Sequence, residues 1–103
     1  MNKSELINRL ADTSQLTKKD AHVVLNSILT LIEESLLRGE EVKLVGFGKF
    51  AVRGRKASSR MNPQTKQPIK VPEKVVPVFR PGKDLKKKIE KNLKMTKKGI
   101  EPK

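Results

Sequence analysis

Between residues 17 and 38 the sequence carries an apolar stripe wider than the rest of the chain can easily cover. Thr17 followed by Asp20 reads as a helix start and Gly39 as a stop, so the spacing predicts one long helix there. At 100° per residue, Ala21, Val24, Leu25, Ile28, Leu29, Leu31, Ile32 and Leu36 sweep an arc of about 160°. A shorter amphipathic helix is predicted over residues 3–13, opened by Asn2-Lys3-Ser4-Glu5, and it offers only Leu6, Ile7, Leu10 and Ala11 in return. So wide a stripe needs more than one neighbour. A sheet from the same chain is one solution and a second copy of the chain is the other. Composition favours the copy. Only 35% of the 103 residues are hydrophobic, with three Phe and no Trp or Tyr. If the basic stretches stay in water, roughly 60–70 residues remain to build a core, which is marginal for one chain. No cysteine is available for a disulfide, and a lone histidine, His22, makes a metal staple improbable. A homodimer is therefore expected, with a heterodimer of paralogues as the variant.

Downstream of Gly39 the period changes from helical to alternating. Residues 41–45 and 49–53 read as two strands joined by a tight turn at Gly46-Phe47-Gly48. Phe47, Phe50 and Phe79 sit in neutral, apolar surroundings and are most simply core residues. From Gly54 to Lys74 small and basic residues replace the core signal, with a turn at Asn62-Pro63-Gln64-Thr65 and prolines at 63, 68 and 72. Those prolines exclude a central strand. A protruding two-stranded ribbon, about residues 53–75, and a disordered loop both remain open. Val75, Val76, Val78 and Phe79 resume a strand, and Pro81-Gly82 ends it. A third helix is predicted over 83–93, with Leu85, Ile89 and Leu93 on one face, followed by a frayed basic tail over 94–103. The expected organisation is one α+β domain, with a helical dimerisation region at 1–38 and a sheet with its arm at 41–80.

Charge is segregated as sharply as apolarity. Residues 1–52 hold 7 basic and 7 acidic side chains, and residues 53–103 hold 17 basic and 4 acidic, so the formal net charge of +13 belongs to the second half. Such asymmetry points to a polyanion bound by one part of the fold: DNA, RNA or an anionic membrane surface. Catalysis has little to stand on. His22 lies off the apolar stripe, with no thiol or carboxylate pair at a suggestive spacing, so no enzyme and no cofactor are expected. Gly46-Phe47-Gly48 lacks the lysine-serine pair and following helix of a phosphate loop, and a hairpin turn explains it better. Its exposed N–H groups at Gly46 and Gly48 still suit a phosphate. Neither a signal peptide nor an apolar run of about 20 residues is visible. A soluble, cytoplasmic protein with no membrane partner is expected.

Within the basic half, Arg53, Arg55 and Lys56 lead into the ribbon, Arg60 and Met61 sit near its tip, and Lys66, Lys70 and Lys74 return from it. Guanidinium groups on a narrow ribbon suit a minor groove, where negative potential is concentrated. Pro63 at the tip is rigid, apolar and without a donor. It could wedge between base pairs, although spacing alone favours plain turn chemistry.

Here the chain resembles a known family, the bacterial HU and integration host factor proteins that bend DNA, and more closely its HU branch. The resemblance covers roughly residues 1–92 and rests on Met1-Asn2-Lys3, Leu16-Thr17-Lys18-Lys19, Gly46-Phe47-Gly48-Lys49-Phe50, Asn62-Pro63-Gln64-Thr65 and Phe79-Arg80-Pro81-Gly82-Lys83, in order. It implies an intertwined dimer with a body of two N-terminal helices and one C-terminal helix. A three-stranded antiparallel sheet would extend into one β-ribbon arm per subunit. It implies further that Pro63 is an intercalating wedge, that Arg53, Arg55, Asn62 and Gln64 line a minor groove, and that Lys3, Arg80, Lys83 and Lys86 meet phosphates flanking the bend.

The chain departs from the family pattern near the tip. Met61 stands where Arg is usual, Arg60 where Gly is common, and Ser58 and Ser59 at positions that are often basic. Lys66 replaces the usual Gly after Gln-Thr, which matters if that position needs a positive φ. Met61 could add apolar contact beside Pro63, and Lys97, Lys98 and Lys103 add charge beyond the family's usual end. The expected function is histone-like: nucleoid-associated bending and condensation of double-stranded DNA with little sequence specificity, preferring bent, nicked or mismatched duplex. A sequence-specific host-factor-like bender and a basic RNA-binding or ribosomal protein are the alternatives.

Overall fold

Two capped helices make up the N-terminal unit, Met1–Arg38, of the computed structural model, which describes residues 1–103. Asn2 Oδ1 accepts the Glu5 N–H at 2.9 Å and opens α1, Lys3–Ser14. Gln15 ends it in the left-handed region, φ 54°, where its own N–H reaches the Ala11 carbonyl. Thr17 Oγ1 accepts the Asp20 N–H at 3.1 Å and opens α2, Lys18–Leu37. Each cap satisfies a first-turn donor that would otherwise lack a partner, worth about 1 kcal/mol. The break after Arg38 uses Gly39 at φ 75°.

The buried residues of this unit are Ala11, Ala21 and Leu25. Two of the three are alanines, and small side chains let the backbones of α1 and α2 approach closely. Half of the predicted stripe stays in view: Val24, Ile28, Leu29 and Leu31 are exposed, Leu31 at 63%. His22 is also exposed and shares a hydrogen bond with the Asn26 side chain one turn on.

The second unit, Gly39–Lys103, is built on a three-stranded antiparallel sheet. Strands β1, Val42–Leu44, and β2, Gly48–Arg55, form the hairpin expected from the alternation. Gly46 turns it at φ 86°, and the Phe47 N–H closes on the Leu44 carbonyl at 2.9 Å. Beyond β2 the chain leaves the sheet as a ribbon of two strands, β3, Ser58–Met61, and β4, Pro68–Val71, so segment 54–74 is a paired ribbon and not a loop. It returns as β5, Lys74–Pro81, alongside β2. Phe79 stacks against both Phe50 and Phe47, with ring centroids 4.9 and 5.5 Å away. This aromatic group is the apolar centre of the unit, yet Phe47 and Phe79 remain 48% and 41% exposed and Ala51 is its one buried apolar residue.

Gly48 is where glycine is sterically required. A Cβ there would lie 2.7 Å from the Phe79 ring and 2.8 Å from the Arg80 carbonyl oxygen. Gly82 then caps α3, Lys83–Asn92, its N–H held by the Phe47 carbonyl at 2.9 Å.

The expectation of a frayed tail over 94–103 is corrected by the fold. Strands β6, Leu93–Thr96, and β7, Gly99–Pro102, pair antiparallel into a second hairpin. The lysine count hid two local signals. Leu93 and Met95 alternate with Lys94 and Thr96, and Gly99 supplies a turn at φ 119°. Helix α3 accordingly ends at Asn92, one residue short of the expected 93. No helix is long and apolar enough to cross a membrane.

Candidate nucleic-acid interface

Directly opposed residues of an antiparallel pair project from the same face. In β2–β5 the register sets Lys49 opposite Arg80, Arg53 opposite Val76 and Arg55 opposite Lys74. These pairs alternate with Phe50 opposite Phe79, Val52 opposite Pro77 and Gly54 opposite Val75. One face therefore gathers Lys49, Arg53, Arg55, Lys74 and Arg80 around the Ala51–Val78 pair, and the other carries no charge. Lys49 was not singled out from the sequence. The signal was there, since positions 49, 51, 53 and 55 share a face at period two, but Lys49 reads first as part of the glycine turn. In the structure Glu41 stands 3.5 Å from its ammonium.

Ladder pairing stops at Arg55 opposite Lys74 and resumes at Ser58 opposite Val71. Lys56-Ala57 and Pro72-Glu73 span the gap. Pro72 has no N–H to give a ladder, which fits a break at that point. Arg53, Arg55, Lys56, Arg60 and Lys74 converge on one open concavity beside this break, with Gly54, Ser58 and Val71 completing its lining and no acidic side chain among them. Further out, Arg60 lies opposite Ile69, and Ser59 lies opposite Lys70 on the other face. Met61 pairs with Pro68 at the end of the ladder.

The tip is ordered by the backbone of residues 62–67. The Asn62 N–H reaches the Gln67 carbonyl at 2.9 Å, and the Lys66 N–H reaches the Asn62 carbonyl at 2.7 Å. Asn62 Oδ1 accepts the Gln64 N–H at 2.9 Å, an Asx turn that has Pro63 at its apex. Pro63, Gln64 and Lys66 are all exposed. Lys66 adopts φ 57°, the left-handed conformation that glycine takes at least cost, so the position does require a positive φ.

At the base of the arm a second concavity brings together Gly46, Gly48, Lys49, Arg80, Gly82 and Lys86. Gly46 is exposed in its turn, whereas Gly48 is buried against Phe79, so each has a local reason to be glycine. Lys83 opens α3, whose cap residue Gly82 offers no side chain to the first-turn N–H groups. Lys3 is exposed at the start of α1, in the N-terminal unit.

Comparison with known proteins falls on the same segments. The family model described as bacterial DNA-binding protein matches residues 1–90. The DNA-binding protein HU of Clostridium pasteurianum is 50% identical over 91 residues, 88% of this chain and all of that one. HU of Thermotoga maritima is 49% identical over 89 residues, 86% of this chain and 99% of its own. Among solved structures, Anabaena HU cocrystallised with DNA superposes with a TM-score of 0.78 at 42% identity, covering 86% of this chain and 97% of that one. The family is one of structural DNA-binding proteins and not of enzymes. With its profile spanning all but the last residues, the chain belongs to the bacterial DNA-binding protein family, on its HU side.

Proposed function

We propose that two copies of this chain form an intertwined dimer that binds double-stranded DNA with little sequence preference, entering the minor groove with both arms and bending the duplex by inserting Pro63. The observation that carries this reading is the arm itself: an exposed two-stranded ribbon, basic along its length, with a proline at the apex of an ordered turn. Arg60 and Lys70 leave opposite faces of the ribbon, which suits a groove with a phosphate wall on either side. Arg53, Arg55 and Lys74 continue the charge towards the sheet, and Lys56 and Lys66 add to it. Lys3, Arg80, Lys83 and Lys86, with the turn at Gly46, would meet backbone beyond the bend. Asn62 and Gln64 flank the wedge, and Met61 supplies apolar contact beside it.

Dimerisation is supported by what one chain leaves uncovered. Val24, Ile28, Leu29, Leu31, Phe47 and Phe79 are each between about two-fifths and two-thirds exposed. Covering them is worth roughly 1 kcal/mol apiece. A homodimer is the simplest assembly, and a paralogue with the same stripe would serve equally. An HU-type protein of this kind works in the cytoplasm on the nucleoid.

Bending a duplex costs several kcal/mol, offset by the backbone contacts that the bend allows. DNA that is already nicked or mismatched at two points a few base pairs apart should therefore bind better. A gel shift at moderate salt compares it with the intact duplex, and Pro63→Ala is tested on both. The wild type should favour the distorted DNA at least tenfold. Pro63→Ala should lose bending, read by fluorescence energy transfer between the duplex ends, while keeping most of its affinity. Equal affinity of the wild type for both DNAs would leave a charged coat that does not bend its target. A single strongly preferred footprint would instead favour a host-factor-like, sequence-specific role.

A further inference from the structure

Residues 93–103 lie beyond the segment matched by the family, 1–90, and they are folded. The hairpin β6–β7 turns at Lys97-Lys98 and is fixed at both ends. At the apex, Thr96 Oγ1 accepts the Lys98 N–H at 3.2 Å and donates to the Gly99 carbonyl at 3.1 Å. At the open end, the Lys103 N–H reaches the Asn92 carbonyl at 2.9 Å and ties the strand end to α3. Lys94 lies opposite Glu101 in the ladder, so that charge is balanced across the pair. Lys97 and Lys98 have no acidic residue in the ladder beside them, and both are exposed.

We infer that this hairpin is an additional basic finger that holds the phosphate backbone of bound DNA through Lys97 and Lys98. The inference rests on the DNA-binding reading above and adds a contact outside the family's shared length. An apex ordered by Thr96 presents both ammonium groups at a smaller entropy cost than a frayed tail would. A second copy of the chain is the competing occupant, because Met95 and Ile100 pair on the other face at 88% and 75% exposure. Leu93 opposite Pro102 shares that face, and the four side chains together offer on the order of 400–500 Å², still short of the ~800 Å² per partner of a stable interface. Two adjacent cations at the apex also suit a polyanion better than another chain of net charge +13.

The test measures binding of the full chain to a random-sequence duplex by fluorescence anisotropy across a salt series, beside two double variants. Lys97→Gln/Lys98→Gln should lower the slope of log K against log salt by about 3.6, since the dimer carries two such hairpins and each of the four phosphate contacts contributes about 0.9. Affinity near ~0.15 M salt should fall by roughly two to three orders of magnitude, with the circular dichroism melt unchanged. Met95→Ser/Ile100→Ser should leave both slope and affinity alone. An unchanged slope in the lysine variant overturns the inference. So does a serine variant that changes the sedimentation of the free protein, because the hairpin would then be a subunit contact. Failure of the wild type to bind duplex at all would remove the DNA-binding reading itself, and the finger with it.

Discussion

The N-terminal helices and the β-ribbon arm are both unfinished surfaces, and they lack different things. Helix α2 keeps Val24, Ile28, Leu29 and Leu31 in water, with basic and acidic groups balanced through residues 1–52. What completes it must be apolar and of matching shape, which a second copy would supply in the proposed dimer. The arm has almost nothing to bury and carries cations on both faces. What completes it must be negative and extended. The two demands separate in physics as well as in sequence, because apolar burial strengthens with salt whereas phosphate neutralisation weakens. A substitution or a solvent change can therefore fail one surface and spare the other.

The largest effect should come from Ile28→Asp. A carboxylate in the middle of an apolar stripe cannot be covered without a heavy desolvation cost, several kcal/mol per subunit. The dimer should be lost, and with so small a core the fold should go with it. Sedimentation at micromolar concentration would then report monomer, and circular dichroism a collapsed or strongly lowered melting transition. A dimer with unaltered melting would mean that α2 is not the surface that pairs.

Salt should divide the two surfaces without any mutation. With six to ten phosphate contacts shared by two subunits, DNA affinity should fall roughly a thousandfold or more between ~50 and ~200 mM salt. Over the same range the sedimentation of the free dimer should not change. Parallel loss of both would show that the pairing of subunits is itself electrostatic.

Gly48→Ala tests where the boundary between the surfaces lies. Gly48 sits at the base of the arm in sequence but packs like core, with no room for a Cβ between the Phe79 ring and the Arg80 carbonyl. Forcing one in should cost about 2 kcal/mol, the usual penalty for overpacking. A urea titration should then show a lower midpoint with an unchanged slope. Little or no shift would place the Phe47–Phe50–Phe79 group with the adaptable arm and not with the core.

How legible these surfaces were follows from the range of the interactions behind them. Both helices were readable because their caps are local: Asn2 to Glu5 and Thr17 to Asp20 each span one turn. Hairpin β1–β2 was readable for the same reason. The ribbon stayed ambiguous with a loop, since nothing in residues 54–74 buries an apolar face, and its strands hold by backbone pairing and an Asx turn. Lys49 escaped notice because its membership of the basic face is a matter of cross-strand register with Arg80. The C-terminal hairpin was lost behind its lysines, although Leu93, Met95 and Gly99 were in plain view.

The smallest and most local effect concerns Lys66. A side chain other than glycine at φ 57° carries a cost of roughly 1 kcal/mol, and the 2.7 Å bond from its N–H to the Asn62 carbonyl holds it there. Lys66→Gly relieves that strain but frees the unfolded chain and removes a cation at the tip. The melting temperature should not move, because the arm contributes little to the core. Amide exchange across residues 62–67 should slow by a few-fold at most, and the salt slope for DNA should drop by about 1.8, one contact from each arm. A lysine in a glycine conformation then makes sense as charge kept at the expense of backbone comfort. If the glycine variant instead binds DNA more tightly with an unchanged slope, tip geometry and not tip charge limits the grip, and the arm's surface is completed by shape after all.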